Sequence, residues 1–142
     1  MAADPTEAMQ VAAAAALLAS AGVTAIVAET PDGPAVFAPR QPFADVFPRI
    51  TLETPQVLGR PTSCGDLSEV FVTIHSWARG PDATLVAGRL AGAGREALDA
   101  DIGPEGHRIS TQTFEHARPV GDPDPSVEHV VSVFRYLTHP TA

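Results

Sequence analysis

Five histidines, one cysteine and one glycine-rich run are the residues of this chain that could do chemistry. His75, His107, His116, His129 and His139 could offer imidazole nitrogens to a metal ion. No two of them form an H-x-H or H-x-x-x-H pair, and on a regular strand His107 and His116 point to opposite faces. Such scattered imidazoles read as satisfied surface side chains, and a metal site assembled across strands is the arrangement the spacing leaves open. Cys64 is the single cysteine, so no intrachain disulfide can form. It lies in a Gly/Pro loop from Gly59 to Gly65 and reads as an exposed thiol, since activation needs a nearby base or positive field. Gly92-Ala93-Gly94-Arg95-Glu96-Ala97 matches the G-x-G-x-x-A form of a dinucleotide fingerprint, with Glu115 further on. Those glycines meet a pyrophosphate only directly after a strand, at a helix N-terminus, and here they fall late in a helical pattern. Glu115 and His116 are adjacent on a strand, so their side chains diverge. There is no G-x-S-x-G elbow and no Walker loop. The expectation is a protein with no catalytic, cofactor-binding or metal-binding residue.

The composition narrows the class further. At 142 residues the chain is long enough for one domain, residues 1–142, with a core of its own. Apolar residues make up 44% and charged residues 18%, which is globular rather than disordered. Nine basic residues face 17 acidic ones, a net charge of −8. All the basic residues are arginines, scattered singly, so no cluster exists that would bind nucleic-acid phosphates. The uncharged run from Val11 to Ala28 is preceded by Asp4 and Glu7 rather than by the basic flank of a signal peptide. It is mostly alanine, which inserts weakly into a bilayer. It reads as a helix docked on a sheet, with no membrane partner.

The elements that must position these residues follow from periodicity. Asp4-Pro5-Thr6-Glu7 opens a first helix with an N-cap acid, Pro at the first helical position and Glu three residues after the cap. Met9, Ala13, Ala16, Leu17 and Ser20 share one stripe, and Gly22 is the expected stop. Thr24 to Ala28 is expected as a short strand. Residues 22–48 form a Pro-rich segment, read either as a loop pinned to the core by Phe37, Phe43 and Phe47 or as an arm reaching a neighbouring subunit. Ile50 to Leu58 is expected as one strand. Leu67 to Ala78 is another, with Val70, Val72, Ile74 and Ala78 on a core face. Its second face, with Leu67, Phe71 and Trp77 among Glu69 and His75, is half apolar and needs a cover. A second helix after Gly80-Pro81-Asp82 carries Val86, Leu90, Ala93 and Ala97 at helical spacing. His107 to Val120 and Val127 to Leu137 make a hairpin around Gly121–Pro125. The class is α+β, with a mostly antiparallel or mixed sheet and both helices packed on it.

Three stretches carry a family likeness: FPRITLETPQVLG, VFVTIHSWARG and TFEHARPVGDPDPSVEHVVSVFRYL. Over residues 9 to 137 the chain resembles the tail-terminator, or tail-completion, proteins of long-tailed bacteriophages and phage-derived gene transfer agents. The resemblance implies an α+β subunit of a closed homo-oligomeric ring, of six copies, at the head-proximal end of the tail tube. Such a ring stops tube polymerisation and joins tail to head connector or stopper. It leaves a channel for DNA, which passes without specific binding. It also implies assembly in the host bacterial cytoplasm, no enzyme activity and no cofactor. The subunit and partner contacts expected on this reading are Phe37, Phe43, Phe47, Arg60, Phe71, Trp77, Arg118 and Asp122. Two other readings remain: a head-completion or neck (stopper or adaptor) ring, and a dimeric α+β module binding a small molecule near the Gly88 to Gly94 helix.

Overall fold

A computed structural model describes residues 4–39, 41, 45–62 and 65–141, with the side chains of 61 and 62 left aside. The expectations for Phe43 and Cys64 lie outside the described residues. Helix α1 (Thr6–Ala19) is followed by a single turn, α2 (Ala21–Thr24), and by the short strands β1 (Glu29–Thr30), β2 (Gly33–Pro34) and β3 (Val36–Phe37). Then come β4 (Arg49–Leu52), β5 (Gln56–Thr62), β6 (Gly65–Arg79), α3 (Ala83–Asp99), β7 (His107–Val120) and β8 (Val127–Pro140). The main sheet has six strands in the order β3-β4-β6-β8-β7, with β5 paired to β6 beyond the end of β4. Every pairing in it is antiparallel except β3 on β4. The protein is therefore α+β with a mixed sheet, as its sequence pattern indicates. Among the described residues, no helix is long and apolar enough to cross a membrane.

The long strands β6 and β8 pair from Ser68↔Thr138 to Arg79↔Val127 and form the spine of the sheet. The period-two rule holds along both. Val70, Val72, Ile74, Ser76 and Ala78 are buried on one face, with Ser132, Phe134, Tyr136 and Thr138 beside them. Helix α3 lies over this face through Ala87, Leu90, Ala91, Gly94, Ala97 and Leu98, with α1 alongside through Met9, Ala13 and Leu17. A Cβ built on Gly94 would stand 2.8 Å from Ile74 Cδ1, so the absent side chain is what allows the helix to sit this close. That approach selects the buried stripe. It runs through Ala87, Leu90, Ala91, Gly94, Ala97 and Leu98; of the expected Val86, Leu90, Ala93 and Ala97, Leu90 and Ala97 are in it and Val86 and Ala93 are half-buried at its margin.

The Tyr136 hydroxyl donates to the Leu98 carbonyl at 2.8 Å, tying β8 to the last turn of α3. Burial pushes its phenol well above the ordinary value. Tyr136→Phe keeps the ring but leaves that carbonyl without its donor. A loss of about 1–2 kcal/mol in urea unfolding is expected, and unchanged stability would mean the bond contributes nothing net.

Four local expectations are corrected. Pro5 is the N-cap of α1 rather than its first residue and offers no side-chain cap, while Asp4 Oδ1, one residue before it, accepts from the Thr6 amide at 2.9 Å and the Thr6 hydroxyl at 2.6 Å. Gly22 is not the stop: the helix ends at Ala19, and Ser20 turns extended and caps α2 through its hydroxyl. Thr24 to Ala28 is not a strand, because α2 takes its first residue and the first extended pair is Glu29–Thr30. Ile50 to Leu58 is two strands, β4 and β5, separated at Glu53-Thr54-Pro55. A proline cannot donate to a ladder, and this one falls where the sheet edge is handed from β4 to β5. Phe37, in contrast, pins its segment to the protomer's own core as one of the two readings of residues 22–48 expects, at 7% exposure, on a strand laid parallel to β4.

Candidate docking face

Both long helices occupy one face of the sheet, and the opposite face carries none among the described residues. By register, that open face presents Leu67, Glu69, Phe71, Thr73, His75 and Trp77 of β6 beside His129, Val131, Val133, Arg135 and Leu137 of β8. Its centre is apolar, with Phe71, Thr73, Val131 and Val133 together, and a polar construction flanks it at each end.

At one end is a stack of cations and rings. The Arg79 and Arg49 guanidiniums each lie 4.3 Å from the Phe47 ring centroid, and Arg49 also lies 5.0 Å from that of Trp77. Trp77 lies 3.6 Å from His129 with the rings 11° from parallel. His129 Nε2 is 2.5 Å from His75 Nδ1, and His75 Nε2 is 2.5 Å from Glu53 Oε2. The stack holds because each cation faces the negative face of a ring and its rim is hydrogen-bonded. Trp77 Nε1 donates to Thr51 Oγ1 at 3.1 Å, and Arg49 Nη1 donates to the Val46 carbonyl at 3.1 Å. Asp45 pairs with Arg79 at 3.3 Å and Arg49 at 3.7 Å. Residues 45–48 of the Pro-rich segment are therefore pinned to the protomer's own sheet, not extended as an arm.

The environment fixes the charge of this end. Burial pushes the Arg49 guanidinium below its ordinary value, with Asp45 opposing the shift. Burial, and then the neighbouring His75, push the His129 imidazole down to about 4. The folded protein thus favours neutral His129, while the unfolded chain takes up that proton from about pH 6.5 downward. The corresponding stability is fully present above that pH and is lost as pH falls through about 4. With partial solvent screening it is on the order of 2 kcal/mol.

At the other end Glu69 lies between two arginines, its side chain 6% exposed. Arg60 reaches it through Nε at 2.7 Å and Nη2 at 2.6 Å, and Arg135 through Nη1 at 3.3 Å. Burial pushes the Glu69 carboxyl up, but the hydrogen bonds and charges of the two arginines outweigh it and hold it below the ordinary value. Arg135 Nε also meets Glu115 Oε1 at 2.9 Å. That contact exists because β7 is bulged between Phe114 and His116, and an extra residue in a strand re-aims its neighbours. The same bulge corrects the expected divergence of Glu115 from His116. Glu115 reaches Arg135, while His116 pairs with Val133, so both belong to the open face.

Of the residues singled out from sequence, the structure brings Phe47, Arg60, Phe71, Trp77 and Arg118 to this face, Arg118 lying opposite Val131. Asp122 lies in the β7–β8 loop, its Oδ1 accepting from the Asp124 amide at 2.9 Å. Phe37 is in the core, on no docking face. Sequence reasoning missed Arg49, Glu53, the His75–His129 pair and the Glu69–Arg135 contact. Parity had put Glu69 and His75 on the half-apolar face, but only the register of β6 on β8 supplies their partners. Among the described residues no group of three or more His, Cys, Asp or Glu is placed to hold a metal ion.

No curated protein matches the chain. A chain in the solved virion of a native gene transfer agent particle shares its fold, with a TM-score of 0.79 and 21% identity over 94% of this chain and 96% of that one. The family model for tail completion protein gp17 matches residues 11–139. The chain therefore belongs to the tail completion protein family, a family of structural virion proteins.

Proposed function

We infer that this protein completes a tail by closing into a ring of six copies that caps the head-proximal end of the tail tube. The ring stops tube polymerisation, docks on the head-tail connector or stopper, and leaves a channel through which DNA passes without specific binding. Assembly takes place in the cytoplasm of the bacterial host, and the ring becomes part of a phage-like particle. Family membership supports the tail-completion role. The observation that carries the ring is the uncovered sheet face. A closed ring needs a heterologous contact, in which one surface meets a different surface on the neighbour. Here an open β face and a helical face lie on opposite sides of one sheet, and the half-buried Phe71 and Val133 are the apolar surface a neighbour would cover. The net charge of −8 suits a passage through which DNA must slide, because attraction to phosphates would slow it.

Electron microscopy of tail tubes assembled with and without the protein tests this. Tubes of defined length, decorated at one end, are the expected result. Tubes whose length ignores the protein would overturn the terminator reading. Decoration of the portal side alone would move the ring to the neck. A protomer that stays single at high concentration beside its tail partners would remove the ring.

A further inference from the structure

The stack at the end of the open face contains one arrangement that tail completion does not require. His75 has both ring nitrogens engaged, Nε2 by the Glu53 carboxylate and Nδ1 by His129 Nε2, each at 2.5 Å. His129 is 8% exposed and stacks against Trp77, the only tryptophan in the chain. We propose that Glu53, His75 and His129 form a proton-sensitive latch that holds Trp77 flat on the sheet and releases it when both imidazoles are protonated.

The argument is geometric. A ring nitrogen can donate or accept, but two facing N–H groups cannot share one hydrogen bond. With one proton between them the two rings close onto each other. With a proton on each facing nitrogen they must separate, and in the latch it is His129 that gives way, taking its ring off Trp77. The charged groups around the pair set when this happens. The Glu53 carboxylate lies against His75, and Asp122 in the β7–β8 loop favours the proton on His129. Arg49, on the other side of Trp77, opposes it. Arg79 is tied up with Asp45 and Asp124. Arg118, opposite Val131 on β7, adds positive charge to the same face. Burial also opposes the second proton, so the latch stays closed at neutral pH. Because Trp77 contacts Arg49, and Arg49 contacts Phe47, release loosens the loop before β4 as well.

The consequence for assembly rests on the docking role inferred above, while the latch itself does not. Two measurements keep them apart. In the first, Trp77 emission of the isolated protein is followed from neutral to acid pH, with far-UV circular dichroism recorded alongside. Freed of the stacked imidazole, the indole meets water, so its emission maximum should move to longer wavelength with a midpoint near pH 4 while the dichroism holds. His129→Phe, which stacks but cannot be protonated, should abolish the shift. A flat trace in the unaltered protein, the same midpoint in His129→Phe, or a shift that coincides with loss of dichroism would overturn the latch. In the second measurement, sedimentation at neutral and acid pH reports whether assembled copies separate when the latch opens. Copies that separate only with His129 present would link the latch to docking. Emission that changes while assembly does not would leave the latch standing and remove the open face from the subunit contact.

Discussion

Phe134→Ala should lower the free energy of unfolding by about 3–5 kcal/mol. Phe134 lies on the helix-covered face of β8 at 2% exposure, paired with Val72 of β6 on one side and Phe114 of β7 on the other. Its ring meets that of Phe114 edge-on, centroids 5.5 Å apart, and the Arg95 guanidinium covers Phe114 from α3 at 4.0 Å. Removing the ring opens a cavity between the sheet and its helices that collapses poorly, because β6 and β8 are held in register by pairs on both sides of the position. It also takes away the main apolar anchor of β7, an edge strand whose residues are otherwise mostly exposed. Urea unfolding measures the loss, and hydrogen exchange should show β7 amides opening before those of β6. A loss below about 1 kcal/mol would mean that the core does not extend to this layer.

Phe71→Ala should have the opposite signature, leaving the fold intact while disabling assembly. Phe71 is half-buried at the centre of the open face, between the Glu69 network and the histidine stack. A central aromatic at an interface commonly carries about 2 kcal/mol or more when truncated, which is a thirtyfold or greater weakening of the contact. The isolated subunit should lose no more than about 1 kcal/mol, since the ring is not enclosed there. Sedimentation of the free protein and tube lengths with the variant present are the readouts. Leu85→Ser, on the outward side of α3 at 60% exposure, probes the helical face as the other half of the same contact. Normal assembly of Phe71→Ala would remove the open face from the ring contact.

How much of this was legible beforehand depended on whether the signal was local. The alternation of β6, the His107 to Val120 strand and the start of β8 follow from side-chain parity and turn residues within each segment, and they stand as read. The family likeness was equally accessible, because it rests on whole segments in order. For Phe37 the reading as an aromatic that pins its segment to the core stands, but the means was not legible, because it is the parallel pairing of Val36 with Ile50. The stripe of α3 was read in part: Leu90 and Ala97 lie in it, while the close approach at Gly94, against Ile74, is set by a missing side chain that a hydrophobic pattern does not register. The histidine pair is the sharpest case. Its members are 54 residues apart, and no spacing rule reaches across two strands and the helix between them. Only the register of β8 on β6 does.

The paired span of β6 and β8 has one more consequence. Twelve successive residue pairs make a beam roughly 40 Å long. The paired ends of β5 and β6 lie at one end of it, and the β7–β8 connection lies at the other. A sheet backed by two helices bends little over that distance, so the two ends keep a fixed separation, and a displacement imposed on one is carried to the other.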